Sequence, residues 1–180
     1  MRKSAIFLWG LLCVLMFGST SLFGATDSQE KIVQDRLASL WVEGQVLGDM
    51  ILGARGRITL IYMDRRACNA VREQGASLPS WVSWNNQYET RARRGGRGFF
   101  LVHYEAKKNW IFDPTEIIIG DYRLTEDDVL TRKDFQNVGD LASGTEATLA
   151  ISVPKKSVLP GRTITISYGT FATEWTVPRR

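Results

Sequence analysis

The chain has 180 residues, of which 44% are hydrophobic, 11% aromatic and 23% charged. This length and apolar content suit one domain with a hydrophobic core, so they exclude a disordered chain as the expected class. The formal net charge of +4 falls to +2 if two N-terminal cations, Arg2 and Lys3, are removed with a leader, so any anion binding must come from local clustering of charge.

Residues 1–25 have the pattern of a secretory signal peptide. Arg2 and Lys3 precede an apolar run over 5–17, and small residues follow it, with cleavage expected after Ser21 or Ala25. We therefore expect an exported protein, periplasmic or at the cell surface. The alternative is an uncleaved anchor, although the apolar run is shorter than the ~20 residues of a spanning helix. Membrane contact is expected only through this segment, if cleavage fails.

Removal of the leader would leave Cys68 as the only cysteine, because Cys13 lies inside the apolar run. No intramolecular disulfide could then form. Acylation of Cys13 is disfavoured, since apolar residues continue the run beyond it. We interpret Cys68 as a buried thiol, because free cysteine behaves as a small apolar side chain.

The first element after the leader is predicted to be an amphipathic helix. Apolar residues over 26–43 recur at helical spacing, with Asp27 or Ser28 as a candidate N-cap and Gly44 as a stop. An extended first strand is the alternative, because the pattern is short.

Two strand-like runs come next, over residues 45–52 and 57–63. The glycine-rich stretch 53–56 lies between them and carries Arg55. This arrangement predicts that the two runs pair with each other as a hairpin.

Residues 64–98 differ from the strand-like segments around them and are predicted to be a helical and loop insertion. Helix formers occupy 67–74, and Ser80 can cap a short helix that carries three aromatic residues on one face. Arginines and glycines follow over 91–98. Because a long connection in a compact domain is often functional, we expect the binding site here. The candidate binding residues are Trp81, Trp84, Tyr88, Arg93, Arg94 and Arg97.

From residue 98 the chain returns to strand character. Apolar residues occupy both faces of the run 98–104, which predicts a central, buried strand. The next predicted strand, 110–119, is interrupted at Pro114, and a short strand over 121–124 follows. Thr125 and Asp128 then have the spacing of a capping box.

The C-terminal part is predicted to contain a loop and three strands. Residues 137–144 are read as the loop, and residues 145–153 alternate as a strand. Residues 162–177 are predicted to be a hairpin around Gly169 and Thr170, because glycine supplies the positive φ of a type II′ turn. This register pairs Tyr168 with Phe171 and Ile164 with Trp175, which places the apolar residues on one face.

About seven or eight short strands with frequent turns predict a mainly β fold, an antiparallel β-sandwich. Over residues 98–177 the strand spacing resembles that of immunoglobulin-like modules of secreted bacterial proteins, although the Cys…Trp…Cys arrangement of true immunoglobulin domains is absent. The prediction is therefore one immunoglobulin-like sandwich domain over 26–180, with an N-terminal helix and the insertion 64–98. The resemblance implies no activity, since such sandwiches host many functions.

Catalysis and cofactor binding receive little support from the sequence. Cys68 and His103 could form a nucleophile and base, and Arg65, Arg66 and Arg72 could favour the thiolate, but no cysteine-hydrolase signature surrounds Cys68. One histidine and one cysteine make a poor metal site, and the glycine-rich stretches lack the lysine of a phosphate-binding loop. No metal or cofactor is therefore predicted.

The favoured function is that of an exported cell-envelope accessory module that binds a ligand. Its aromatic and arginine residues in the insertion are those that interfaces favour. The expected partner is an envelope protein, an anionic polymer or a lipid headgroup, and export disfavours nucleic acid. Two alternatives stay open, a cysteine-dependent enzyme that uses Cys68 and His103, and a purely structural envelope subunit.

Overall fold

The structure is a computed structural model that describes residues 31–74 and 79–179. The predicted leader over 1–25, with both candidate cleavage sites, lies outside the described residues. Residues 31–34 form one helical turn. The elements that follow are β1 (Leu37–Val42), β2 (Gln45–Leu47), β3 (Met50–Leu52), β4 (Gly56–Tyr62), α1 (Arg65–Gln74), α2 (Ser80–Asn85), α3 (Glu89–Arg94), β5 (Gly98–Ala106), β6 (Trp110–Phe112), β7 (Ile117–Ile119), β8 (Tyr122–Arg123), β9 (Gly139–Leu141), β10 (Glu146–Val153), β11 (Thr163–Tyr168) and β12 (Phe171–Thr176).

The fold is mainly β, with antiparallel sheets in an arrangement consistent with the predicted sandwich. The first sheet has the strand order β1-β4-β5-β10, and the second has the order β12-β11-β7-β8. Buried apolar side chains of both sheets form one core cluster. Its members include Leu60, Val102 and Leu149 from the first sheet and Ile119, Ile166 and Trp175 from the second.

The hairpin predicted at the C-terminal end is confirmed in its register. Tyr168 pairs with Phe171 and Ile164 pairs with Trp175 in β11 and β12. Gly169 has a positive φ of 56° and Thr170 does not have a positive φ, which is the combination that a type II′ turn requires. Trp175 is buried, so the alternation that predicted an apolar inner face also placed this side chain correctly.

The predicted insertion forms a third layer on the outer face of the first sheet. Small and apolar residues of α1 to α3, such as Cys68, Val82 and Ala92, share a second core cluster with Phe99 and Leu101 of β5. The central strand β5 is therefore buried on both faces, as its continuous apolar sequence predicted. The insertion is thus helical and covers one face of the first sheet.

The N-terminal helix predicted over residues 26–43 is wrong for its second half, because Leu37–Val42 is strand β1. The part over 26–30 lies outside the described residues. Ala38, Leu40 and Val42 are buried while their neighbours are less so, which is a period of two. Pairing with β4 satisfies the backbone of this segment, and this long-range contact overrides a short helical pattern.

The hairpin predicted between residues 45–52 and 57–63 is also wrong. Residues 45–52 fold on themselves as the small hairpin β2-β3, with Gly48 at a φ of 60° in its turn. Strand β4 pairs with β1 and β5 instead. The glycine at position 48 permits a tight turn inside the first run, so this run never reaches the length needed to pair with β4.

Two predictions in the middle of the chain need refinement. The strand predicted over 110–119 is two strands, because Asp113 and Pro114 open a 3-10 turn that sends β6 and β7 into different sheets. The loop predicted over 137–144 contains β9, which pairs with β6. The capping box of Thr125 and Asp128 is confirmed around a single 3-10 turn.

Candidate functional site

The three predicted aromatic residues lie on the helical layer but differ in exposure. The ring of Trp81 stacks on His103 of β5, with 5.0 Å between centroids. Tyr88 is buried. Trp84 is 47% exposed and makes edge contacts with Tyr88 and with Phe135, a residue that the sequence did not single out. Of the three, Trp84 therefore offers the largest free surface.

The three predicted arginines have different surroundings. Arg97 donates to the Asp128 carboxylate and, at 3.1 Å, to Ser152 Oγ. Arg93 Nε donates to Glu89 Oε1 at 2.6 Å, and Arg72 donates to the other oxygen of the same buried carboxylate. Arg94 is exposed and forms no hydrogen bond or ion pair with a described residue. Of the six predicted site residues, only Trp84 and Arg94 are therefore exposed.

A cavity of about 480 Å³ lies where the beginning of α1 meets the end of α3. Four of its lining residues are cationic and come from three parts of the chain: Arg65 and Arg66 from α1, Arg93 from α3 and Lys155 from the turn after β10. Among the described residues, Asp64 and Asn69 also line the cavity. We call this group of six residues the basic cavity.

Three of the four cations in the basic cavity are available to a ligand. Arg65, Arg66 and Lys155 are exposed, and none of them forms a salt bridge within the described part of the chain. Arg93 is held in place by Glu89 and by the carbonyl of Met63. The cavity therefore combines one fixed guanidinium with three free positive charges.

The only carboxylate that lines the basic cavity, Asp64, is already paired. Buried Arg36 donates to both of its oxygens, at 3.0 and 2.8 Å, and the backbone N–H of Ala67 donates to one of them. Burial alone would raise the pKa of Asp64, but the hydrogen bonds from Arg36 and Ala67 hold that pKa below its ordinary value. Asp64 is thus ionised, and its negative charge is balanced by Arg36 instead of by Arg65 or Arg66.

Cys68 contacts Arg93, a lining residue of the basic cavity, and is fully buried. Its thiol donates to the carbonyl of Met63, and Arg93 donates to its sulfur, both at 3.6 Å. Burial and the nearby charge of Glu89 raise the pKa of Cys68 to about 12, so the group is a thiol at neutral pH. The prediction that Arg65, Arg66 and Arg72 favour the thiolate is therefore wrong.

His103 is not the partner of Cys68. It lies on the outer face of β5 against Trp81, with carboxylate oxygens of Glu105 and Glu146 within 3.9 Å of its ring nitrogens. Burial lowers the pKa of His103 despite these two charges. No hydrogen bond joins it to Cys68, so the described residues contain no thiolate and imidazole pair of the kind that the enzyme alternative requires.

Sequence reasoning missed the basic cavity as a site. The sequence relates Arg65 and Arg66 only to Cys68, and no motif singles out Lys155. The adjacent arginines at the start of a helix were the one available signal. Nothing in the local sequence indicates that Arg93 and Lys155 converge on them.

The described residues contain no group of three or more His, Cys, Asp and Glu side chains that could hold a metal ion. Within the same part of the chain, no helix combines the length and apolar character needed to cross a membrane. No protein-family model, curated protein or solved structure matches the chain.

Proposed function

We propose that the protein is an exported cell-envelope accessory module that binds a phosphate-bearing anionic polymer through the basic cavity. The observation that carries this proposal is the convergence of Arg65, Arg66, Arg93 and Lys155 on one cavity of about 480 Å³. This volume lies within the range of small-ligand sites, about 300–1,000 Å³, so the cavity is large enough to hold part of a chain.

Electrostatics favours an anion at this site. Like charges at Arg65 and Arg66 repel each other and Lys155, and the described residues supply no carboxylate that pairs with them. Arginine presents planar, forked donors that match phosphate oxygens, and lysine supplies a further point charge. A polyanion would relieve the repulsion and replace counterions at several positions at once.

Asn69 adds a neutral donor to the same lining. Its Oδ1 accepts from Arg72 Nη1 at 2.8 Å, which leaves its Nδ2 free to donate to a ligand oxygen.

Export, as expected from the leader, favours envelope polymers over nucleic acid as the ligand. We also propose that the β-sandwich is immunoglobulin-like, and the two antiparallel four-stranded sheets support this part of the proposal.

A binding titration with fluorescent polyphosphate tests the proposal. The double variant Arg65→Ser/Arg66→Ser should bind about tenfold more weakly or worse, because each charge-assisted hydrogen bond contributes about 1.5–3 kcal/mol before solvent screening. The matched control is Arg132→Ser/Lys133→Ser, which removes the same charge from exposed residues outside the cavity. Equal losses in both variants would show diffuse attraction and would refute a specific site.

Two further ligands separate the sources of the phosphate chemistry. Vesicles that contain phosphatidylglycerol present the phosphate as a lipid headgroup, whereas polyglutamate presents carboxylates on a polymer. The proposal expects polyphosphate to bind most tightly. Preferential binding to the vesicles would make the ligand a headgroup, and equal binding to polyglutamate would remove phosphate from the account.

A further inference from the structure

The strongest feature outside the basic cavity is a pair of exposed aromatic rings, one of which lies under an arginine side chain. Trp84 of α2 and Phe135 are 47% and 55% exposed, and their rings meet edge to face with 5.7 Å between centroids. They come from different parts of the chain. We call this pair, together with Arg91 and Arg132, the aromatic patch.

The aromatic patch is fixed by its neighbours before any partner binds. The buried ring of Tyr88 supports Trp84 from one side, at 6.1 Å between centroids. The guanidinium of Arg132 lies over the ring of Phe135 at 5.6 Å. Arg91 donates to the carbonyl of Leu130 at 3.2 Å, which ties α3 to the segment that carries Phe135. Such prior ordering lowers the entropic cost of binding.

The charges around the aromatic patch are complementary to an acidic partner. Arg91 and Arg132 are exposed cations, one bonded to the Leu130 carbonyl and the other placed over the Phe135 ring. Asp134 is the carboxylate paired with Arg132, at 3.5 Å, and both side chains are largely exposed. A surface pair of this kind contributes little, so a partner carboxylate can replace Asp134 at small cost.

We propose that the aromatic patch docks an acidic segment of a protein partner, one that carries an apolar anchor residue. The anchor would lie against Trp84 and Phe135, and the carboxylates of the segment would pair with Arg91 and Arg132. Tryptophan and arginine are the residues that most often dominate the binding energy of protein interfaces. This inference goes beyond the proposed polymer binding and uses none of the cavity residues.

Selection from a displayed library of random peptides tests the inference without knowledge of the partner. The selected peptides should combine Glu or Asp with Leu, Phe or Trp. Their affinity, measured by fluorescence anisotropy, should fall about tenfold or more in Trp84→Ser and in Phe135→Ser, and severalfold in Arg132→Gln. The last variant removes only a surface charge, so it keeps the test valid if an aromatic substitution disturbs folding.

Two control variants give the experiment its contrast. Leu47→Ser removes another exposed apolar side chain, from β2, and should leave peptide affinity unchanged. Arg65→Ser/Arg66→Ser alters only the basic cavity and should also leave it unchanged. Any of three results would overturn the inference. The selected peptides could be basic or uncharged, their affinity could be retained in both Trp84→Ser and Arg132→Gln, or it could be lost only in the cavity variant.

Discussion

We expect Arg97 to stabilise the fold, although the sequence predicted it to be a binding residue. Its side chain donates to Asp128, which is 5% exposed, and to Ser152 Oγ and the Ser152 carbonyl. Arg97→Met keeps an unbranched side chain similar to the aliphatic stem of arginine and removes all three hydrogen bonds. The charge-assisted bond contributes about 2 kcal/mol and the two bonds to Ser152 about 1 kcal/mol together, since the site is partly exposed.

We therefore expect Arg97→Met to lower the free energy of unfolding by about 3 kcal/mol. The loss stays at the low end for a broken buried pair, because Asp128 keeps Tyr122 and the Thr125 backbone N–H as partners, each at 2.8 Å. For a domain of this size the midpoint temperature should fall by about 6–12 °C.

Urea unfolding followed by circular dichroism measures this loss. Arg94→Met is the matched control, because Arg94 is exposed and has no partner among the described residues, so its change should stay within about 0.5 kcal/mol. A double-mutant cycle with Asp128→Asn should show that the two effects are strongly non-additive. If Arg97→Met unfolds at the same urea concentration as Arg94→Met, the structural role of Arg97 is refuted.

Three other predictions concern Cys68, Trp175 and Asp64. Because the pKa of Cys68 is raised to about 12, a thiol reagent at pH 8 should label this residue only after denaturation, and rapid labelling of the native protein would contradict its burial. Trp175→Ala should cost about 3–5 kcal/mol in urea unfolding, because the buried indole packs against Tyr62 and Phe100; a loss below about 1 kcal/mol would contradict the two-sheet core. Because the pKa of Asp64 is lowered, its pair with Arg36 stabilises the fold above about pH 4, and this stabilisation is lost as the pH falls through the folded-state pKa. The free energies of unfolding of wild type and Asp64→Asn, plotted against pH, should therefore converge in acid and separate at neutral pH. A constant difference between these two curves at every pH would contradict the pairing.

The parts of the fold that depend on adjacent residues could be predicted from the sequence. The β11-β12 hairpin followed from a glycine turn and two alternating strands, and its register is as expected. The capping box of Thr125 and Asp128 followed from its spacing. The segment that became β1 could not be assigned in this way, since its partner β4 begins well beyond it in the chain and decides its conformation.

Most of the basic cavity lies on the predicted insertion, but Arg93 is the one predicted binding residue among its six members. Arg93, Arg94 and Arg97 have the same side chain, yet their surroundings differ. Arg93 pairs with Glu89 four residues away, Arg94 pairs with no described residue, and Arg97 pairs with a carboxylate distant in sequence. Asp128 neutralises Arg97 from a turn after β8, and nothing local to Arg97 indicates this contact. The basic cavity likewise requires Lys155 to meet the start of α1, which is a consequence of the assembled sheets.

We expect the helical layer to hold an anion between α1, α3 and the turn after β10. Crystals soaked in tripolyphosphate would test it most directly. We expect electron density for phosphate groups in contact with the guanidinium groups of Arg65 and Arg66 and with Lys155 Nζ. Density that lies instead against Arg132 and Lys133, or an empty cavity in crystals of a protein that binds the ligand in solution, would contradict it.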